Sequence, residues 1–446
     1  MDRIPLSFTQ EFLCSFDRGD DTGPFGPSYH NTRGWRLHGE VDLEVLQEAL
    51  TDVVARHEAV RTSIVRTAEP RYQEVRPPSP PRLTVRDLSE PGPGSRDGRV
   101  EQFLNEVEAG TVPLRHLPLL RAELGRFDEQ DAVLVLLAHH CVSDGWSMRL
   151  LMRDLAACYA ARKEGRAPDL AEPLQYREYT AWQRAEATPD AVLRQRTFWR
   201  DNLAGAQLFA SPMDRPRSAQ PMVTSTHRFA IDAELTGATL KFAARQRSST
   251  FMVLLAAYQV LLHRATGAED LVVPTITAGR GQVQFDETVG PFFNFLPLRT
   301  SLAGCGTVRD ALLRTRSACL QAQSHEIPFA HILAEAPGLM DPFAANDRAV
   351  SAIQVFQHPF GADGDMGGDL KYAEIRRRLR SAPVSAGIPD GVLWTLDVDP
   401  PYGILGNVKF NRNEFDESTV AGLVDGFVRV LREIVSSPDS PLRDRA

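Results

Sequence analysis

Apolar and polar positions along the chain follow two periods. Residues 42–57 (DLEVLQEALTDVVARH) place apolar side chains at helical spacing, which predicts an amphipathic helix. Residues 100–109, 145–161, 232–246, 251–266, 308–323 and 418–435 predict further helices, as do YREYTAWQRAEA (176–187) and AVLRQRTFWRDNL (191–203). Short apolar runs predict strands over 62–66, 71–75, 119–127, 131–138, 224–231, 270–275, 351–356, 392–398 and 405–411. The run DAVLVLLA at 131–138 is almost wholly apolar and predicts a strand buried on both faces. Pro77–Gly98 reads as loop with one strand inside it. Its PGPGSRDG end (91–98) lacks the strand-to-helix setting of a phosphate cradle and reads as a turn. The polar, proline-bearing KEGRAPDLAEP (163–173) predicts an interdomain linker. The class is α/β, with α and β mixed. Both halves run helix, strands, helix without a sequence repeat at fixed period, which predicts two structurally related lobes, 1–174 and 175–446.

Composition narrows the function classes. A chain of 446 residues can bury a large core without a disulfide or metal staple. No run approaches 18 apolar residues and no apolar stretch follows MDRIPLSFTQ, so neither a membrane span nor a signal peptide is expected, and the expected location is cytoplasmic. A net charge of −8 gives no basic footprint for nucleic acid. Lysine occurs only at 163, 241, 371 and 409, which reads as the codon bias of a GC-rich genome. The five cysteines are scattered with no CxxC pair, so free thiols are expected and neither a disulfide framework nor structural zinc.

Chemistry concentrates at His139-His140-Cys141-Val142-Ser143-Asp144-Gly145, where a buried strand gives way to a helix. Imidazole is the side chain best suited to moving a proton near neutral pH. Adjacent residues leaving a strand point to opposite sides, so one histidine faces a given cavity and the other is structural. Asp144 reads as a helix N-cap or as half of a buried ion pair, and Gly145 allows a tight turn or a close ligand approach. A buried core histidine and a metal site are the competing readings. Opposed side-chain directions and the lack of a third histidine at helical spacing count against metal. No G-x-S-x-G elbow and no GxxxxGK[ST] loop occurs. His325 and His358 sit in polar loops and read as surface residues.

HHCVSDGWS (139–147) resembles the HHxxxDG motif of nonribosomal peptide synthetase condensation domains, of the chloramphenicol acetyltransferase-like superfamily. PLSFTQEFL (5–13) resembles S-x-A-Q-x-R-L with Gln10 retained, and RHEAVRTSI (56–64) resembles RHExLRTxF. YREYTAWQ (176–183), VGPFFNFLPLR (289–299) and HEIPF (325–329) resemble the family's later motifs in order, so the likeness covers nearly the whole chain. The DxxxxD of cyclisation domains, the HRxxxDD of oxygenase-recruiting relatives and the DFGWG of plant-type acyltransferases are absent. Epimerisation domains share the HHxxxD start, but residues 289–299 fit condensation better, and wax-ester synthases share HHxxxDG. His358 follows Gln357 where many condensation domains have asparagine, a departure on the acceptor side.

The resemblance implies two acetyltransferase-like lobes forming a V, with a tunnel at their junction. It implies an acyltransferase that takes an acyl or aminoacyl group from the phosphopantetheine thioester of a carrier protein to an amine or alcohol, making an amide or ester in natural-product (antibiotic) biosynthesis. The acceptor is a small molecule or carrier-bound. The enzyme has no cofactor of its own, and the phosphopantetheine arm belongs to the partner. His140 is the implied catalytic residue and His139 a structural one. Asp144 pairs with a buried arginine, Arg280 of TAGRG (277–281) first and Arg61 second, and the Gly145 N–H helps hold an oxyanion. No adenylation or carrier sequence is attached, and Met1 favours a free-standing enzyme over an excised domain. A non-catalytic module that docks carrier proteins and a wax-ester-type acyl-CoA acyltransferase are the alternative functions.

Overall fold

The computed structural model describes residues 3–90, 94–187, 189–357, 363–384, 391–400 and 402–443. His358 and residues 91–93 of the PGPGSRDG turn lie outside them.

A six-stranded sheet is centred on Asp131–His139, all nine residues of which are buried. It pairs antiparallel with His30–His38 on one side and Leu120–Arg126 on the other. Alternation splits its side chains between two cores. Ala132, Leu134, Leu136 and Ala138 meet the helices Leu43–Arg56 and Gly145–Lys163. Val133, Val135 and Leu137 meet the helix Arg96–Glu108 through Phe103, Leu104 and Val107. An apolar residue at every position is what a strand covered on both faces requires.

A larger, eight-stranded sheet runs Asn294–Ser301, Asp270–Thr277, Arg348–Phe356, Val392–Asp399, Gly403–Asn411, Thr224–Ile231 and Ala382–Pro383, with Ala210–Pro212 beside Arg348–Phe356. One face sends Trp394, Leu396, Val408 and Phe410 into the largest core, against the helices Thr250–Thr266 and Glu417–Ser436. Thr250–Thr266 is apolar nearly all round and buried accordingly. The opposite face is half-buried and carries Gln354, Thr395, Asn407 and Lys409.

One strand crosses between the sheets' chain segments. Lys371–Glu374 follows most of the larger sheet in sequence yet pairs with His30–His38 of the six-stranded one. Its Glu374 carboxylate receives Arg149 at 2.8 Å, Arg33 at 3.1 Å and Arg376 at 3.2 Å. Glu374 and Arg149 are 1% and 2% exposed at the side chain, so each neutralises a charge that water does not reach.

The structure departs from the sequence reading at several places. Phe8–Cys14 is a helix started by a capping box in which the Ser7 hydroxyl accepts from Gln10 N and Gln10 Oε1 from Ser7 N, which explains the S-x-x-Q spacing. His30–His38 is a strand that the sequence reading passed over. The helix expected from Val100 starts at Arg96, because the Ser95 hydroxyl caps it from the end of the glycine-bearing turn. His325 is half-buried and stacked on Phe198 at 4.0 Å, not a free surface residue. Residues 164–175 carry no regular element, and no described helix is long and apolar enough to cross a membrane.

His30 and His139 face each other in register where the two central strands end. His139 is fully buried with both nitrogens engaged: Nδ1 accepts from Cys141 N at 3.2 Å, so Nε2 carries the proton and donates to Gly26 O at 3.1 Å. His30 lies 3.0 Å from Thr32 Oγ1 and 3.0 Å from Gly110 O. Burial lowers His30 to about 4 and His139 to about 3, from 6.5.

Two outcomes follow from these buried charges and neutral rings. Glu374→Ala strands Arg149 without its counter-charge, and urea unfolding should show a loss of about 3–5 kcal/mol. On acidification the unfolded chain protonates both histidines near 6.5 while the folded chain resists until about 4 and 3. Stability is therefore complete above pH 6.5 and falls as pH drops from there toward 3. A melting temperature that stays level between pH 7 and pH 4.5 would contradict this.

Candidate active site

The turn after Asp131–His139 is fastened at both ends. Asn31 Nδ2 donates to Ser143 O and Oγ at 3.2 and 3.1 Å, and Ser143 Oγ donates to His139 O at 3.0 Å. Asp144 then caps the helix Gly145–Lys163, its Oδ1 accepting from Ser147 N at 2.7 Å and from the Ser147 hydroxyl at 2.7 Å. Arg280 Nη2 lies 3.2 and 3.1 Å from the two Asp144 oxygens, and Phe292 N donates to Oδ2 at 3.4 Å. All the oxygen lone pairs of Asp144 that the turn presents are thus spoken for.

Arg280 is held as firmly as it holds. Nη1 donates to Phe285 O at 3.0 Å and Thr288 O at 2.9 Å, and the guanidinium lies 3.9 Å from the Phe292 ring centre and 5.4 Å from that of Trp146. Its side chain is 2% exposed. Two glycines make the approach possible. Gly279 has φ +61°, and a Cβ there would sit 1.7 Å from Phe292 O. A Cβ on Gly290 would sit 2.0 Å from the Tyr176 ring, whose hydroxyl donates to Pro291 O at 3.0 Å. The TAGRG, VGPFF and YREY segments therefore meet around one ion pair.

Of residues His139 to Asp144, only His140 is not fully buried. Its ring stacks on Tyr29 at 4.8 Å and 15° and meets Phe293 edge-on at 4.8 Å. Nδ1 is shut off from solvent, which leaves Nε2 as the nitrogen on the open side of the ring. Burial holds the ring's pKa below 6.5, against hydrogen bonding to the His140 and Ser143 backbone and the pull of the Asp144 carboxylate, so the ring is neutral at pH 7. Phe293 also lines a cavity of about 580 Å³ with Phe8, Phe12, Trp182, Phe292 and Phe295.

The structure brings His139, His140, Asp144, Gly145 and Arg280 together and leaves Arg61 out. Arg61 instead donates to Val54 O at 3.2 Å, Ala55 O at 3.3 Å and Arg76 O at 2.6 Å, clamping the end of the helix Leu43–Arg56. The neighbouring Arg56 and His57 bind the buried Asp154 at 2.8 and 2.9 Å, so the RHEAVRT segment serves packing. Gly145 opens the motif helix and is partly exposed at its positive end. Sequence reasoning missed Tyr29, His30 and Phe293. Tyr29 immediately precedes the overlooked strand and His30 begins it, and Phe293 lies inside VGPFF, a segment noticed only as a motif.

The Condensation domain family model matches residues 2–353. The chain is 36% identical to the probable non-canonical nonribosomal peptide synthetase CymA of Salinispora arenicola, over 98% of this chain and 6% of that one. The chain thus spans a small fraction of that curated relative. The solved structure of SgcC5 from Streptomyces globisporus, in complex with a naphthyl ethanediol and sucrose, matches with TM-score 0.92 and 45% identity over 98% of this chain and 100% of that one. The X-domain from teicoplanin biosynthesis matches with TM-score 0.82 and 26% identity, over 100% of this chain and 98% of that one. With an intact histidine motif on a chloramphenicol acetyltransferase-like α/β fold, this chain belongs to the condensation-domain family of nonribosomal peptide synthesis.

Proposed function

We propose that this protein is a condensation acyltransferase that moves an acyl or aminoacyl group from a carrier-protein phosphopantetheine thioester to an alcohol, forming an ester. The observation that carries the reading is His140, a neutral ring and the one residue from His139 to Asp144 that stays partly exposed. An X-domain-like docking module has no use for such a group. The lobes of this reading are 1–174 and 175–446, with Lys371–Glu374 crossing into the sheet of the first.

In the proposed reaction His140 takes the hydroxyl proton as the oxygen attacks the thioester carbonyl. A tetrahedral oxyanion forms beside the start of the motif helix, where the Gly145 N–H and the helix's positive end favour negative charge. The C–S bond then breaks and the thiolate leaves with the proton from His140. Base assistance matters more for an alcohol than for an amine, since a hydroxyl is a weak nucleophile until deprotonated. Asp144 stays out of the proton path because Arg280, Ser147 and Phe292 N occupy its oxygens. The acceptor is assigned to the alcohols by two supports. The 580 Å³ cavity lined by Phe293, the ring that meets His140 edge-on, is rich in aromatic side chains, and the similar SgcC5 was solved with an aryl 1,2-diol.

The test offers an aminoacyl pantetheine thioester with a mixed panel of aryl alcohols and amines, and reads products by mass spectrometry. Ester should form with an aryl alcohol, and His140→Ala should lower kcat/KM by about 10²–10⁴-fold with an unchanged melting temperature. Full activity in the variant removes His140 from the mechanism; amide as the sole product replaces the alcohol by an amine.

A further inference from the structure

The half-buried face of the larger sheet carries polar groups that the chemistry above does not use. Alternation along Val392–Asp399 and Gly403–Asn411 buries Trp394, Leu396, Val408 and Phe410 and leaves Thr395, Asn407 and Lys409 on the other side. The register sets Thr395 beside Asn407 and Lys409 beside Thr226. Gln354 and Thr395 satisfy one another at 2.8 Å. Asn407 Oδ1 and Thr226 Oγ1 do not: both are buried and have no hydrogen-bond partner among the described residues. Thr226 is 1% exposed. Lys409 Nζ lies 3.5 Å from Glu108, whose carboxylate also binds Arg228 and Arg378. An ammonium has three donors, and that pair engages one.

A sheet face open to solvent would leave these oxygens exposed to water. A face packed in a core would be apolar, or its polar atoms paired, because an unpaired buried acceptor costs free energy. This strip does neither. The same sheet face meets the motif cluster three strands away. Ile276, on the same face, packs against the cluster that holds Tyr29, Cys141 and Phe293. Burial, and to a lesser degree the positive charge of Lys409, lowers the pKa of both His140 and His30.

We propose that Thr226, Asn407 and Lys409 select the acyl donor, taking a chain that bears a hydroxyl over the plain alkyl chain. The hydroxyl donates to Asn407 Oδ1 and accepts from the Lys409 ammonium, and Thr226 Oγ1 closes the contact. The inference rests on the acyl-transfer reading, and its test separates the two.

Pantetheine amides, which bind but cannot transfer, are titrated calorimetrically into the protein: octanoyl, and octanoyl carrying one hydroxyl at successive carbons. One hydroxylated probe should bind about 20-fold tighter than octanoyl. Asn407→Leu, and independently the near-isosteric Thr226→Val and Lys409→Met, should shrink that preference to within about threefold while octanoyl affinity holds. Equal affinity for every probe, a preference that survives all three variants, or no binding at all overturns the proposal. The matching thioesters are run with aryl alcohols alongside. Product without hydroxyl preference sinks the strip alone. Selective binding without product sinks acyl transfer and leaves the strip as a ligand site.

Discussion

The ion pair between Asp144 and Arg280 is the constraint on which the site depends. One carboxylate caps the motif helix, accepts from Ser147 and Phe292 N, and meets a guanidinium that is itself tied to Phe285 O and Thr288 O. The segment after the central strand is thereby locked to a distant part of the chain, the TAGRG and VGPFF loops, 136 residues away. Without that lock the position of His140 would rest on its own strand end. With it, the ring is fixed between Tyr29 and Phe293, one face and one edge already covered.

Burial then decides what the histidines do. His139 and His140 leave the strand in opposite directions, so one enters the interior and the other the open side. His139 spends both nitrogens on backbone groups and is held neutral as a structural member. His140 is held neutral by the same desolvation but keeps part of its ring on the open side. A neutral imidazole is the form that accepts a proton from a hydroxyl, so in the proposed reaction low polarity around the ring keeps His140 in the state a base needs.

Much of this was legible in the sequence wherever local pattern decides the outcome. The run DAVLVLLA announced a strand with two covered faces, and the HHCVSDG turn announced its end. Arg280 was within reach only through a family likeness, because nothing local to TAGRG shows that its guanidinium meets Asp144. Arg61 was a poor second for the same reason: its hydrogen bonds go to carbonyls, which leave no mark on composition. HNTRGWRLH was passed over because its arginines blur the alternation, and their carboxylate partners, Glu374 and Asp131, lie far along the chain. The crossing strand that carries Glu374 and the unpaired oxygens of Thr226 and Asn407 arise from long-range register, which one sequence does not encode in any short window.

The most direct check on this account is a double-mutant cycle at the lock, with Asp144→Asn, Arg280→Gln and the pair together, each followed by urea unfolding. Each single change leaves its partner buried and unpaired and should cost about 3 kcal/mol, while the double change should cost well under the sum, a coupling of about 2 kcal/mol. Additive losses would mean that Asp144 and Arg280 stabilise the fold independently and that the turn bearing His140 is held by something else.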